Sequence, residues 1–212
     1  NIEISPLNAM VDPCEMANDI NNILAYLRNK PEYQKQFKRA FGTDEITSQN
    51  MLWAFTQFMG SLISAESKYD NVKAGKATFT SEEEKGYQLF IQKCASCHQE
   101  PLFTDNSFRN NGLDLVSKDL GRAIITTVIP DEGKFKVPTL RNIEVSRPYM
   151  HDGRFKTLEQ VLNHYQNGIQ NHQNLDPDLK QGLALSNQDK AELIAFLKTL
   201  TDNKFLKNPQ FS

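Results

Sequence analysis

The chain has 212 residues, 39% of them hydrophobic and 24% charged, an ordinary balance for a soluble globular protein of one long or two small domains. A net charge of -2 supplies no broad basic field, which argues against nucleic acid as a partner. No apolar run approaches membrane-spanning length, and three cysteines do not make a disulfide framework.

Helical punctuation recurs along the chain while strand signals are scarce, which predicts an all-α fold. Asp12-Pro13-Cys14-Glu15 reads as a capping box with proline at the first helical position, opening a helix through EMANDINNILAYLRN. Pro31 starts a second helix, PEYQKQFKRAF, which Gly42 closes. A third runs through SQNMLWAFTQFMGSLIS, where Leu52, Phe55, Phe58, Met59 and Leu62 repeat at helical spacing and Trp53 is expected in the core. The polar stretch KYDNVKAGKATFT reads as a linker between two helical lobes. Ser81 with Glu84 forms another capping box, leading a helix that ends in KCASCH. Residues 99–156 are rich in Gly, Pro, Asn and Asp and read as long loops that need something to wrap around; a bound cofactor would supply that core. Two helices follow: TLEQVLNHYQN, capped by Thr157 and ended by Gly168, and NQDKAELIAFLKTLT, capped by Ser186.

Cys94-Ala95-Ser96-Cys97-His98 matches the attachment pattern of a c-type haem. Two thiols one helical turn apart can add to the two haem vinyl groups, and the adjacent histidine then faces the iron as proximal ligand. A structural zinc site would want four ligands, and Cys14 is alone and distant. A thioredoxin-like pair belongs in a strand–helix setting that this region lacks.

For the other face of the iron the candidates are Met150, His151, His164, Tyr165 and the remaining methionines. Leu158, Val161, Leu162 and Tyr165 fall on one helical stripe, so Tyr165 is expected to point inward. It either packs its ring and satisfies its hydroxyl elsewhere, or reaches the haem. His164 lies about 100° away and is expected on the solvated face. His172 is expected in a loop.

FKVPTLRNIEVSRPYMHDGRFKTLEQVLNHY, with GYQLFIQKCASCHQEPLFTD, DLGR and DPCEM, resembles the bacterial di-haem cytochrome c peroxidase family, which includes the MauG proteins. The resemblance runs from about Pro6 to Phe205. It implies a cytochrome c-like haem domain over residues 76–202, preceded at 1–75 by the helical remainder of a second, peroxidatic cytochrome c-like lobe and followed by a tail at 203–212. Members carry two haem motifs. Only the second is present here, so the resemblance implies one haem c on this chain and two in the intact protein. By the same resemblance Cys94, Cys97 and His98 hold the electron-transferring haem, and Tyr165 stands where many members have a methionine as its sixth ligand. Glu15 matches an acidic residue over the peroxidatic haem, where it would move a proton between peroxide oxygens. Arg141 and Arg122 become candidates for the haem propionates or for loop-bracing ion pairs. The backbone carbonyls of Ser146 and Pro148 match positions that hold calcium, His151 would brace the haem surroundings, and Cys14 reads as a small buried hydrophobe.

The function implied is peroxide reduction with electrons relayed through the haem of this chain from a small cytochrome or copper protein. The alternatives are MauG-like peroxide-dependent oxidation of a protein substrate, or a single-haem electron-transfer cytochrome. The resemblance further implies a periplasmic protein, in many members a homodimer.

Overall fold

The computed structural model describes residues 2–211. Among these the regular elements are helices apart from one two-stranded ladder, and the chain divides into two compact units after Ile63.

The first unit holds α1 (Ser5–Val11), α2 (Ile20–Arg28), α3 (Pro31–Phe41) and α4 (Ser48–Ser61) around Met10, Leu24, Phe37, Ile46 and Met51. The helix expected to open at Asp12 does not start there. Asp12 Oδ1 accepts the Cys14 N–H at 2.7 Å, and this local bond holds the segment as a turn. The helix begins instead at Ile20, where Asp19 caps the Asn21 N–H at 2.7 Å. Cys14 is exposed rather than buried. α3 starts at Pro31 and ends at Gly42, whose φ of 77° is the left-handed conformation that glycine adopts without strain. Of the stripe predicted on α4, Phe55, Phe58 and Leu62 are exposed and Leu52 and Met59 only half-buried; the buried residue is Met51, outside that stripe, and Trp53 is 43% exposed. The expectation of a core Trp53 is therefore corrected.

In the second unit the stretch expected as a linker forms α5 (Lys68–Lys73), a helix closed by a reciprocal Ser67–Asp70 capping box. Its Tyr69 is 3% exposed in the core, which is what draws this polar segment into the unit. α6 (Ser81–Lys93) is capped by Thr80 with Glu83, one residue before the predicted pair. β1 (Phe108–Arg109) pairs antiparallel with β2 (Phe135–Lys136), and the short α7 (Ala123–Thr126) lies between them in sequence. α8 (Leu158–Asn163) runs into a π-helical turn, His164–Gly168, and α9 (Asn187–Lys198) and α10 (Asn203–Leu206) follow.

The centre of this unit is the crossing of α6 and α9. A Cβ on Gly86 would lie 1.9 Å from the Glu192 carbonyl oxygen and 2.9 Å from Phe196 Cβ, so the helices meet backbone to backbone. Around that contact Phe90, Phe103 and Phe196 are fully buried, with ring centroids 5.1–6.3 Å apart. Each such side chain contributes about 1.5–3 kcal/mol of burial, and the rings add edge contacts. This aromatic cluster fixes the end of α6, where the cysteine motif begins.

Candidate haem site

α6 is capped at its C-terminal end by Cys94, whose N–H donates to the Phe90 carbonyl at 2.8 Å. The chain makes one further turn, with the His98 N–H on the Cys94 carbonyl at 2.9 Å. Cys94, Cys97 and His98 therefore share one turn anchored on the buried Phe90. Both thiols are free. Burial pushes the Cys94 thiol up to about 12, and burial also raises Cys97, against the opposing pull of Ser96 and Arg109.

Burial lowers the His98 imidazole, while the Phe103 and Pro138 carbonyls act in the opposite sense. Its Nδ1 lies 3.1 Å from the Phe103 carbonyl oxygen. With Nδ1–H donating there, Nε2 keeps its lone pair, which is the tautomer an iron ligand needs. Phe103 adopts φ 56°, a left-handed conformation rare outside glycine, and this turn aims its carbonyl at the histidine. Two protonated free thiols, a turn apart, beside a buried imidazole with one nitrogen already engaged, form a donor set that fits a covalently attached haem. Among the described residues no group of three or more His, Cys, Asp or Glu side chains is arranged to hold a bare metal ion.

Beside Cys97, Arg109 binds Asp105 at 2.8 Å, Asp176 at 3.0 Å and the Ser107 hydroxyl at 2.8 Å. Burial works against ionisation of Asp105, yet Ser107 and Arg109 hold its carboxyl down at about 2. This brace ties the loop after the motif to the segment at 176.

Tyr165 sits in the π turn that continues α8. Burial raises its hydroxyl, the Asn111 amide lowers it, and Cys94 and Cys97 raise it further, so the phenol lies within the electrostatic reach of both thiols. The inward direction expected of Tyr165 agrees with this placement. His164, expected on the solvated face, is 5% exposed instead, with its Nε2 3.0 Å from the Asn111 carbonyl. The π turn His164–Gly168 departs from the 3.6-residue period on which that expectation rests, and it turns His164 inward beside Tyr165. His172 is likewise buried; its Nδ1 accepts the Asn174 N–H at 2.9 Å and its Nε2 meets Ser117 Oγ at 3.2 Å.

Met150 Sδ accepts from Asn111 Nδ2 at 3.3 Å, whereas the His151 ring stacks on Phe135 with centroids 3.8 Å apart. Arg141 places its fork on Asp70 at 2.9 and 3.0 Å and also holds the Pro101 carbonyl. Arg122 pairs with Asp131 at 3.1 Å and covers the Phe108 ring at 4.1 Å. Ser146 and Pro148 lie on an exposed loop. Glu15 is exposed in the turn of the first unit. A groove of about 550 Å³ lined by Glu66, Lys68, Glu83 and Lys198 shares no residue with the Cys94 cluster. Sequence reasoning missed Asn111, Phe103 and Arg109, whose roles arise from loop contacts that leave no periodic signal.

A family model of di-haem cytochrome c peroxidases matches residues 1–78, and a cytochrome c model matches residues 83–201. The chain is 35% identical over 193 residues to the methylamine utilization protein MauG of Methylophilus methylotrophus, covering 88% of this chain and 57% of that protein. It is 32% identical over 201 residues to the cytochrome c551 peroxidase of Nitrosomonas europaea, covering 92% of this chain and 57% of that one. It therefore spans little more than half the length of these curated relatives. A solved MauG-like protein associated with microbial copper homeostasis superposes with a TM-score of 0.91 at 31% identity, covering 100% of this chain and 72% of that one. No helix of the described residues is long and apolar enough to cross a membrane. With its cysteine–histidine turn inside the cytochrome c match and its first unit inside the peroxidase match, the chain belongs to the di-haem cytochrome c peroxidase and MauG family.

Proposed function

We propose that this chain is the electron-relaying part of a di-haem oxidoreductase that consumes hydrogen peroxide. The observation that carries the reading is the Cys94–Cys97–His98 turn, with its imidazole tautomer set by the Phe103 carbonyl and with Tyr165 in electrostatic reach of both thiols. A haem held there supplies a reversible one-electron change at its iron. Cys94 and Cys97 would anchor it, His98 would bind its iron through Nε2, and Tyr165 would supply the second protein ligand. The Asn111 side chain acts against the burial that raises the Tyr165 hydroxyl. The Arg109 brace holds the loop beside Cys97, and Arg141 clasps α5 to the loop after the motif.

In the complete gene product a second haem motif lies ahead of this chain's first unit, and peroxide reacts there. Glu15 moves the proton from the inner to the outer peroxide oxygen. The carbonyls of Ser146 and Pro148 contribute to a calcium site. The electron donor is a small cytochrome or copper protein, the location is the periplasm, and the assembly is a homodimer.

A second reading, MauG-like oxidation of a protein substrate, is favoured by Tyr165 itself. An anionic oxygen ligand would stabilise ferric iron and lower the reduction potential, which does not suit a haem that stores an electron as ferrous iron in the manner of a high-potential relay. The test is peroxide turnover by the haem-loaded complete gene product. Each peroxide consumed takes two electrons and two protons and gives two waters. Oxidation of two equivalents of a reduced small cytochrome per peroxide supports the peroxidase reading. Turnover that requires a protein substrate supports the second. A product inert to peroxide with either partner contradicts both.

A further inference from the structure

The Phe103 carbonyl that meets His98 Nδ1 at 3.1 Å sits in a loop that other elements pin residue by residue. Glu100 anchors this loop by its own side chain, which is 26% exposed. Its carboxylate accepts the Tyr69 hydroxyl of α5 and, at 3.2 Å to each oxygen, the Tyr87 hydroxyl of α6, and Lys73 pairs with it at 3.4 Å. The next residue, Pro101, offers its carbonyl to Arg141 at 2.8 and 3.0 Å, and Asp70 holds Arg141 in turn. Tyr69 and Asp70, neighbours on α5, thus grip Glu100 and Pro101, neighbours in the loop. Beyond them the Leu102 carbonyl accepts the Thr139 hydroxyl at 2.5 Å, and the Thr104 hydroxyl donates to the Val137 carbonyl at 2.6 Å.

Phe103 requires such a grip. Its φ of 56° lies in the left-handed region that a β-carbon disfavours, so the residue is drawn towards an ordinary backbone conformation that would turn its carbonyl off His98. Its buried ring meets Tyr69 edge to face at 4.8 Å. Ring packing fixes where the side chain sits, while the direction of the carbonyl is set by the backbone bonds on either side of it. A carboxylate withdrawn from water is costly unless its oxygens are paired, and here α5 and α6 supply two phenols and a lysine to the oxygens of Glu100. Burial and the bond to Glu100 both raise the Tyr69 hydroxyl, so it stays protonated and goes on donating.

We propose that Glu100 is a positioning residue for His98: its grip on α5 and α6 keeps the Phe103 carbonyl on Nδ1, and so lowers the midpoint potential of a haem bound through Nε2. This rests on the reading that His98 is the proximal ligand. An imidazole whose far N–H is hydrogen-bonded is the more basic ligand, and a more basic ligand favours ferric over ferrous iron. With Glu100 detached from the two tyrosines, the loop relaxes at Phe103, the Nδ1–H loses its acceptor and the ligand weakens. The role is one of position. The bonds from Tyr69 and Tyr87 need an acceptor oxygen at this point and not a charge, so an amide there should serve nearly as well as the carboxylate. The polar segment that α5 forms thereby gains a task, as the far end of the support behind the histidine.

The experiment is a potentiometric titration of the haem-loaded complete gene product, read by absorption at the haem whose signal is missing from the Cys94→Ser, Cys97→Ser double variant. Glu100→Ala is expected to raise the midpoint potential of that haem, and Glu100→Gln to leave it close to that of the unaltered protein. Tyr69→Phe keeps the ring on Phe103 and removes one donor, so it should shift the potential in the same direction by less. Covalent haem content and the thermal melt report whether each variant folds. If Glu100→Ala does not fold, Tyr69→Phe and Glu100→Gln carry the test. A potential unmoved by Glu100→Ala and Tyr69→Phe overturns the proposal. So does a Glu100→Gln shift as large as that of Glu100→Ala, because lost charge and not lost position would then be the cause. Absence of covalent haem at residues 94–98 of the unaltered protein would remove the underlying reading, and the haem content shows this before any potential is measured.

Discussion

With serine at both Cys94 and Cys97, the complete gene product carries no covalent haem on this segment. A thiol can add across a vinyl group to form a stable thioether, and a hydroxyl under the same conditions does not. The replacement is nearly isosteric, and both cysteines sit in a turn that is already fixed by backbone bonds to Phe90 and Cys94. The loss should therefore be chemical and not a consequence of unfolding α6. His98 alone would leave any haem exchangeable, because one imidazole bond is all that remains. Denaturing mass spectrometry reads the result directly, since the mass of the peptide spanning the motif falls by one haem. Each single serine variant should keep one thioether and hold haem in part of the population. Undiminished covalent haem in the double variant would remove Cys94 and Cys97 from the site.

Phe196→Ala is expected to destabilise the second unit by about 3–5 kcal/mol, the range for emptying a fully buried aromatic site. The Phe196 ring is 0% exposed and lies 5.1 Å from Phe90, 5.2 Å from Tyr87 and 6.3 Å from Phe103, centroid to centroid. Collapse into the cavity is blocked on one side, because α9 already touches the Gly86 backbone. The loss should reach the haem site as well: Phe103 carries the carbonyl that orients His98, and its ring rests on this cluster. Denaturant unfolding of the haem-loaded protein measures the effect as a shift of midpoint at unchanged slope. A cost under about 1 kcal/mol, the size expected of a surface substitution, would mean that the cluster is not the core of this unit.

The parts of the fold and site that sequence made legible are those whose chemistry is local. The motif at residues 94–98 is readable because covalent attachment demands two thiols and a histidine at fixed spacing. Gly42 and Thr157 mark helix ends because their backbone and side-chain roles are settled within a few residues. The inward face of Tyr165 followed from helical periodicity, and the same periodicity failed for His164 one residue earlier, because the helix widens into a π turn there. At Asp12 the capping pattern was present but lost to a turn closed by the same carboxylate. The polar segment after Ser67 looked like a linker because one buried tyrosine, Tyr69, outweighs its charged neighbours. Trp53 was misplaced because an apolar stripe states only that a face can be covered, not what covers it. Asn111 and Phe103 were invisible: each acts through a contact fixed by loop geometry, with partners that no spacing rule connects.

The central claim is that the haem held by Cys94, Cys97 and His98 works in a two-haem enzyme. Its most direct test is the number of covalent haems per polypeptide in the complete gene product made in a haem-maturing host, by haemochrome assay and denaturing mass together. The account predicts two, one of them on the peptide that spans residues 94–98. A single haem would contradict it and leave this protein an electron-transfer cytochrome.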